Sequence, residues 1–184
     1  CGIAEQDMVS QAGGIAIQGL LPIVHSFACF LSARPSEQIY NNATEGTKII
    51  YVGSLAGLVP GGPGHSHQAV RDISSMSSIP NLILMEPSCE SEVKQLLDWA
   101  VDVNEQSSYL RLVSVPCEVP YTLPSTYSPV VGQGVSIASG SDAVIFAYGP
   151  IMLTLAFEAA NTVRDTDGVA VKVVVVKIVK IVKV

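Results

Sequence analysis

The chain alternates short apolar runs with segments of helical spacing, and that alternation leaves few folds open. Residues 20–27, 48–53, 82–85 and 109–113 read as strands. Residues 5–19, 36–44, 68–76 and 88–104 read as helices. The first helix is rich in alanine and glycine, predicts close packing, and is ended by Gly19. The run 20–27 reads as a buried strand with Pro22 near its start. Residues 55–68 form a loop crowded with glycine and proline. Strands and helices in this order predict an α/β fold, a mainly parallel sheet with helices on both faces.

Composition fits a packed chain. Of 184 residues, 48% are hydrophobic and 14% charged, which excludes disorder for most of the length. The net charge of −6 is the wrong sign for a general nucleic-acid binder. No apolar run is long enough to predict a membrane-spanning helix, and Glu5 and Asp7 stand where a signal peptide would be basic. Cys1, Cys29, Cys89 and Cys117 lack metal-ligand spacing. They read as reduced core residues of a cytoplasmic protein.

The pattern changes at Pro116. Pro116, Pro120, Pro124 and Pro129 mark residues 116–134 as a linker after a first domain at 1–115. Residues 135–184 read as an incomplete second α/β unit: a buried strand at 143–148, a Gly149-Pro150 turn, a helix at 151–163 and a strand at 169–173. The chain reads as a piece of a longer protein. From Val171 onward only valine, isoleucine and lysine occur. A solvated edge strand would not run so long in this alphabet, so residues 175–184 are expected to be foreign to the natural domain.

Three segments carry chemistry. Glu5 follows Gly2-Ile3-Ala4 at the start of the first helix. Phe27 and Phe30 end the first strand, in His25-Ser26-Phe27-Ala28-Cys29-Phe30-Leu31. His65 and His67 lie in the glycine loop Gly61-Gly62-Pro63-Gly64-His65-Ser66-His67-Gln68. Ligand sites in open α/β sheets form at the C-terminal ends of strands, where the last two segments fall. Singly, each has an ordinary structural reading. Glu5 is a helix-start acid, the phenylalanines are core, and the histidines lack the further ligands of a zinc site.

In combination and order they resemble the pyrimidine-binding domain of transketolase-type thiamine diphosphate enzymes, followed by the opening of the C-terminal domain of that family. The resemblance rests on Gly2-Ile3-Ala4-Glu5-Gln6-Asp7-Met8-Val9, Ser26-Phe27-Ala28-Cys29-Phe30 and Gly64-His65-Ser66-His67-Gln68-Ala69-Val70-Arg71-Asp72-Ile73. Ser78-Ile79-Pro80-Asn81-Leu82, Glu86-Pro87-Ser88 and Tyr109-Leu110-Arg111-Leu112 support it. The His-Ser-His loop and the Phe-x-x-Phe segment are nearer to transketolase and deoxyxylulose-phosphate synthase than to the beta subunits of 2-oxoacid dehydrogenases.

The resemblance implies a transferase that moves a two-carbon ketol or aldehyde unit through the ylide of thiamine diphosphate. It implies that Glu5 hydrogen-bonds a ring nitrogen of the aminopyrimidine and activates the cofactor. By the same resemblance, Phe27 and Phe30 enclose that ring, His67 assists proton transfers at the substrate, and His65 is an additional substrate contact. Pro63 and Ser114 stand where sugar-phosphate enzymes of the family carry a gripping acid and arginine, which points to another carbonyl substrate. Arg34-Pro35 adds a residue between Phe30 and Gln38. The family holds Mg²⁺ and diphosphate with a Gly-Asp-Gly segment, which this sequence lacks. The expected partner is therefore a diphosphate-binding chain or domain, in a homodimer or a heteromer. The alternatives are a 2-oxoacid dehydrogenase beta subunit and a non-catalytic dimerising relative.

Overall fold

The structure, a computed structural model, describes residues 1–176 and, as backbone, residues 178–179. These fall into two compact units. The first holds residues 1–85 and 97–115, and the second holds residues 86–96 and 116–179.

In the first unit, strands β1 (Ile23–Phe27), β2 (Ile50–Ser54), β3 (Ile83–Met85) and β4 (Ser108–Arg111) are ordered β1-β2-β4-β3, and every pairing is parallel. Helix α1 (Glu5–Ile17) precedes β1, and α2 (Ala28–Leu31), α3 (Ser36–Thr44), α4 (Asp72–Ser77) and α5 (Glu90–Asp102) follow between the strands in sequence, α5 entering this unit from Leu97 onward. The steps β1 to β2 and β2 to β3 advance the same way across the sheet, and β3 to β4 steps back. With right-handed crossovers, the reversal puts helices on both faces. Burial agrees: all three residues of β3 and the first three of β4 are buried, as a strand covered on both faces requires. The fold is α/β.

The expectation of a buried first strand is corrected. Along β1 only Val24 is buried, while Ile23, His25 and Phe27 are exposed. The cause is position: β1 ends the β1-β2-β4-β3 order, so it is covered less than the inner strands. The cysteines are corrected too. All four are free, but Cys1 is exposed and the other three are half-buried, so none is a core residue.

In the second unit, β5 (Gly134–Ala138), β6 (Ala143–Ala147) and β7 (Val171–Val176) form a mixed sheet in the order β5-β7-β6. β6 pairs parallel and β5 antiparallel to β7, the latter with a register shift between Ser136 and Ala138. Helix α6 (Pro150–Asp167) begins with proline at its first position, where no intrahelical N–H is needed, and ends on Gly168 at φ 71°. Its buried stripe, Leu153, Ala156 and Ala160, joins Tyr121, Val173 and Val175 in one apolar cluster. Burying a leucine such as Leu153 contributes about 2 kcal/mol.

Two expectations change here. The strand at 143–148 is not buried: Val144 and Phe146 are exposed, because β6 lies at one end of the three-strand order. Strand β5 has no counterpart in the sequence reading, which ran the linker to residue 134. The expectation that residues 175–184 are foreign falls largely outside the described residues. Within them, Val175 and Val176 complete β7, and Val175 is buried between β5 and β6.

Candidate functional site

Helix α1 places the first group. Its buried residues are Glu5, Val9, Ala12 and Gly13, one stripe of the helix. A Cβ at Gly13 would stand 2.3 Å from Asn42 Oδ1 on α3, so any larger residue there must displace the Asn42 side chain. Asn42 Nδ2 donates to the Val9 carbonyl at 3.1 Å and ties the helices together. Glu5, in the first turn, is thereby carried inward with only 6% of its surface exposed.

A buried carboxylate needs donors. Ser26 Oγ donates to Glu5 Oε1 at 2.9 Å, and Arg34 Nη1 donates to Glu5 Oε2 at 2.8 Å. Burial by itself would raise the Glu5 pKa. The Arg34 hydrogen bond, the Glu5 backbone N–H, the Ser26 hydroxyl and the Arg34 charge outweigh it, and Glu5 sits below the ordinary 4.5.

The aromatic groups come from the end of β1. Phe27, at φ −63° and ψ 140°, is the N-cap of α2, and this short helix brings Phe30 back beside it. Ala28 and Leu31 are fully buried and anchor the turn. The two phenylalanine rings lie 6.1 Å apart. The His67 ring stands edge-on to both, 6.0 Å from Phe27 and 5.1 Å from Phe30. Phe27 keeps 40% exposure, so an aromatic surface is left open instead of being spent in the core.

The glycine loop holds His67. Gly64, at φ 79°, accepts the His67 N–H through its carbonyl at 3.0 Å. Gln68 Nε2 donates to the Leu58 carbonyl at 2.9 Å, and the Ala69 N–H donates to the Gly57 carbonyl at 3.0 Å. Ser66 Oγ and His67 Nδ1 are 3.0 Å apart. His65 lines a cavity of about 280 Å³ with Cys29, Ser32, Gln68 and Asp72. Asp72 is buried and accepts from Arg111 Nε at 2.7 Å and from Tyr109 OH at 3.0 Å, which fixes the segment after the loop. Ser114 Oγ accepts the Leu55 N–H at 2.8 Å, and Leu55 holds a left-handed φ of 53°.

The structure thus gathers Phe27, Phe30 and His67 into one aromatic cluster and ties Glu5 to it through Arg34, whose guanidinium carbon stands 3.9 Å from the Phe30 ring centre. The sequence pattern assigns Arg34 no role beyond that of an inserted residue. The available signal was spacing: Arg34 is four residues after Phe30 and donates its N–H to the Phe30 carbonyl at 2.9 Å, so the helical turn continues and the side chains share a face. Among the described residues, no group of three or more His, Cys, Asp or Glu side chains is placed to hold a metal. No described helix is long and apolar enough to cross a membrane.

Residues 1–113 match the family described as transketolase, pyrimidine binding domain. The chain belongs to this family. The chain is 32% identical to 1-deoxy-D-xylulose-5-phosphate synthase of Magnetococcus marinus and 29% identical to that of Rippkaea orientalis, each over 97% of its length. It spans 28% of the length of each. A solved split gene transketolase, described as an inactive beta4 tetramer, superimposes with a TM-score of 0.80 at 28% identity, over 96% of this chain and 55% of that one. Transketolase of Campylobacter jejuni superimposes with a TM-score of 0.86 at 20% identity, over 96% and 28%, a likeness of fold. The family implies thiamine diphosphate as cofactor.

Proposed function

We propose that this chain supplies the pyrimidine-binding half of a thiamine diphosphate-dependent transferase that moves a two-carbon ketol or aldehyde unit. The observation that carries the reading is the buried Glu5 carboxylate beside the partly open ring cluster of Phe27, Phe30 and His67. A flat heterocycle with a ring nitrogen fits a carboxyl next to aromatic faces, so these residues suit the pyrimidine end of the cofactor. When bound, thiamine diphosphate supplies the electron sink for bond cleavage beside a carbonyl.

Each side chain has its task. Glu5 holds and returns a proton at the ring nitrogen, general acid–base work from a position that excludes water. Phe27 and Phe30 orient the ring by stacking, which contributes about 1 kcal/mol beyond area burial. His67, oriented through Ser66, moves a proton at the substrate oxygen. His65 contacts the substrate from the neighbouring cavity. Glu5 also weighs against a relative that only dimerises, which has no use for an ionised carboxylate beside open aromatic rings.

Mg²⁺ and the diphosphate are assigned to a partner chain or further domain, in a homodimer or a heteromer. The net charge of −6 opposes retention of an anionic ligand by this chain alone. Pro63 and Ser114 favour a carbonyl substrate without a phosphate, since Ser114 is already engaged by the Leu55 N–H. The reading places the protein in the cytoplasm, where free thiols such as these four persist.

The experiment is reconstitution with a diphosphate-binding partner and measurement of proton exchange at C2 of the thiazolium. Wild type accelerates exchange, and Glu5→Ala folds but leaves it at background. Exchange at the wild-type rate in Glu5→Ala overturns the reading. Calorimetry with Mg²⁺ and cofactor on the 184-residue chain alone tests the divided site. Weak binding is expected, and tight binding would put the diphosphate site within this chain.

A further inference from the structure

Arg34 answers to nothing in the chemistry proposed above, yet it takes up both surfaces that chemistry uses. Its Nη1 donates to Glu5 Oε2 at 2.8 Å, and its guanidinium carbon lies 3.9 Å from the Phe30 ring centre. A guanidinium is flat, carries N–H donors in its own plane and stacks on aromatic faces. An aminopyrimidine meets a carboxyl and a phenylalanine through the same properties. Only one of these flat groups can pair with Glu5 Oε2 and cover that face of Phe30 at a time. Ser26 holds the other carboxyl oxygen in place whichever group is bound.

Arg34 is also less enclosed than the other paired arginine of its unit. Its side chain is 38% exposed, whereas Arg111, which pairs with Asp72 in the same unit, is 12% exposed. Withdrawing Arg34 moves a hydrated cation a short way into water, while withdrawing Arg111 would open the core.

We propose that Arg34 is a placeholder: in the cofactor-free chain its guanidinium fills the pyrimidine subsite, pairs with Glu5 and covers Phe30, and it withdraws when the pyrimidine enters. This rests on the pyrimidine-binding reading of the site. The exchange couples loading to protonation. A buried carboxyl that loses its cation is harder to ionise, and a protonated carboxyl donates to a ring nitrogen where a carboxylate only accepts. Loading would thus turn Glu5 from the acceptor of Arg34 into the proton donor the cofactor requires.

The probe is 4-amino-5-hydroxymethyl-2-methylpyrimidine, which carries no diphosphate and needs no partner chain. It is titrated into the 184-residue chain and followed by NMR shifts of the Phe27, Phe30 and His67 rings. Glu5 is titrated separately through its side-chain carbon. Arg34→Ala should bind the probe roughly fivefold tighter than wild type, because the share of sites closed by the placeholder is restored. Glu5 in that variant should titrate at higher pH. Arg34→Lys, which keeps the charge but not the plane, should bind with intermediate affinity, and it carries the test if Arg34→Ala does not fold.

Equal or weaker binding in the Arg34 variants, with binding retained in wild type, overturns the placeholder and leaves the pyrimidine-binding reading standing. Binding in neither wild type nor variants overturns the pyrimidine-binding reading, and the placeholder with it.

Discussion

Glu5 and Glu92 are the same residue type at the same place in a helix, the first turn of α1 and of α5, and both are buried. Their surroundings differ. Among the described residues, Glu92 takes neutral donors: the Ser88 N–H and Ser88 Oγ, each at 2.6 Å, and the Tyr127 hydroxyl. These donors close the start of the helix, as in a capping box. Glu5 takes one neutral donor, Ser26, and one partly exposed cation, Arg34, and beyond the cation lie partly open aromatic rings. A buried carboxylate with fixed donors on every side holds structure. One whose charged partner is partly exposed keeps a side that solvent and ligands can reach.

Substitution should separate the two. In the reconstituted enzyme, Glu5→Ala should cut cofactor proton exchange by roughly 10² to 10⁴-fold, the usual worth of a positioned acid–base group, with the urea midpoint little changed. The reverse holds for Glu92→Ala. It takes the acceptor from the buried Ser88 N–H and should cost about 2 kcal/mol in urea unfolding. Aminopyrimidine binding by the folded Glu92 variant should match wild type. A Glu92 variant that loses binding while keeping its stability would break the contrast. Phe30→Leu sharpens it: probe affinity should fall by about 1 kcal/mol as the stacking face is lost, with the fold intact.

The smallest effects lie in the pH dependence, and they have opposite edges. Glu5 lies below its ordinary pKa, so its contribution to stability is complete above pH 4.5 and is lost as the pH falls through its folded value. Tyr127 lies above its ordinary value, through burial and through the hydrogen bond to Glu92. Its contribution is complete below pH 10 and is lost as the pH rises beyond it. Thermal unfolding of Glu5→Gln and wild type should therefore converge in acid, and that of Tyr127→Phe and wild type in alkali. Convergence at the opposite edges would mean that the donors have been assigned the wrong way round.

Much of the architecture was legible along the chain. Helix α3 spans residues 36–44 as read, and β2, β3 and β4 each fall on an apolar run, because an inner parallel strand is apolar on both faces and shows as a block. Strand β5 was not legible. Its Gly-Val-Ser-Ile-Ala segment has little pattern of its own and is ordered by pairing with β7, some forty residues further on. The exposure of β1 and β6 was hidden for a related reason: an end strand can be as apolar as a central one, and only the strand order tells them apart. Helix α4 begins at Asp72, four residues later than read, because loop hydrogen bonds to Leu58 and Gly57 hold Gln68 and Ala69.

The site divides in the same way. Motif order along the chain marks Glu5, Phe27, Phe30 and His67 as candidates through the family resemblance it carries, and each stands at a strand end, a helix start or a glycine loop. Folding decided which of them meet. The 5.1 Å contact of His67 with Phe30 joins segments 37 residues apart, and the Arg34–Glu5 pair closes a span of 29, distances over which no local pattern carries information. Whether a buried carboxylate holds a helix start or faces an open ring is likewise invisible in its immediate neighbours. Glu5 and Glu92 sit in similar helical turns, and what separates them is the Arg34 cation, stacked on Phe30, that the tertiary fold brings to Glu5.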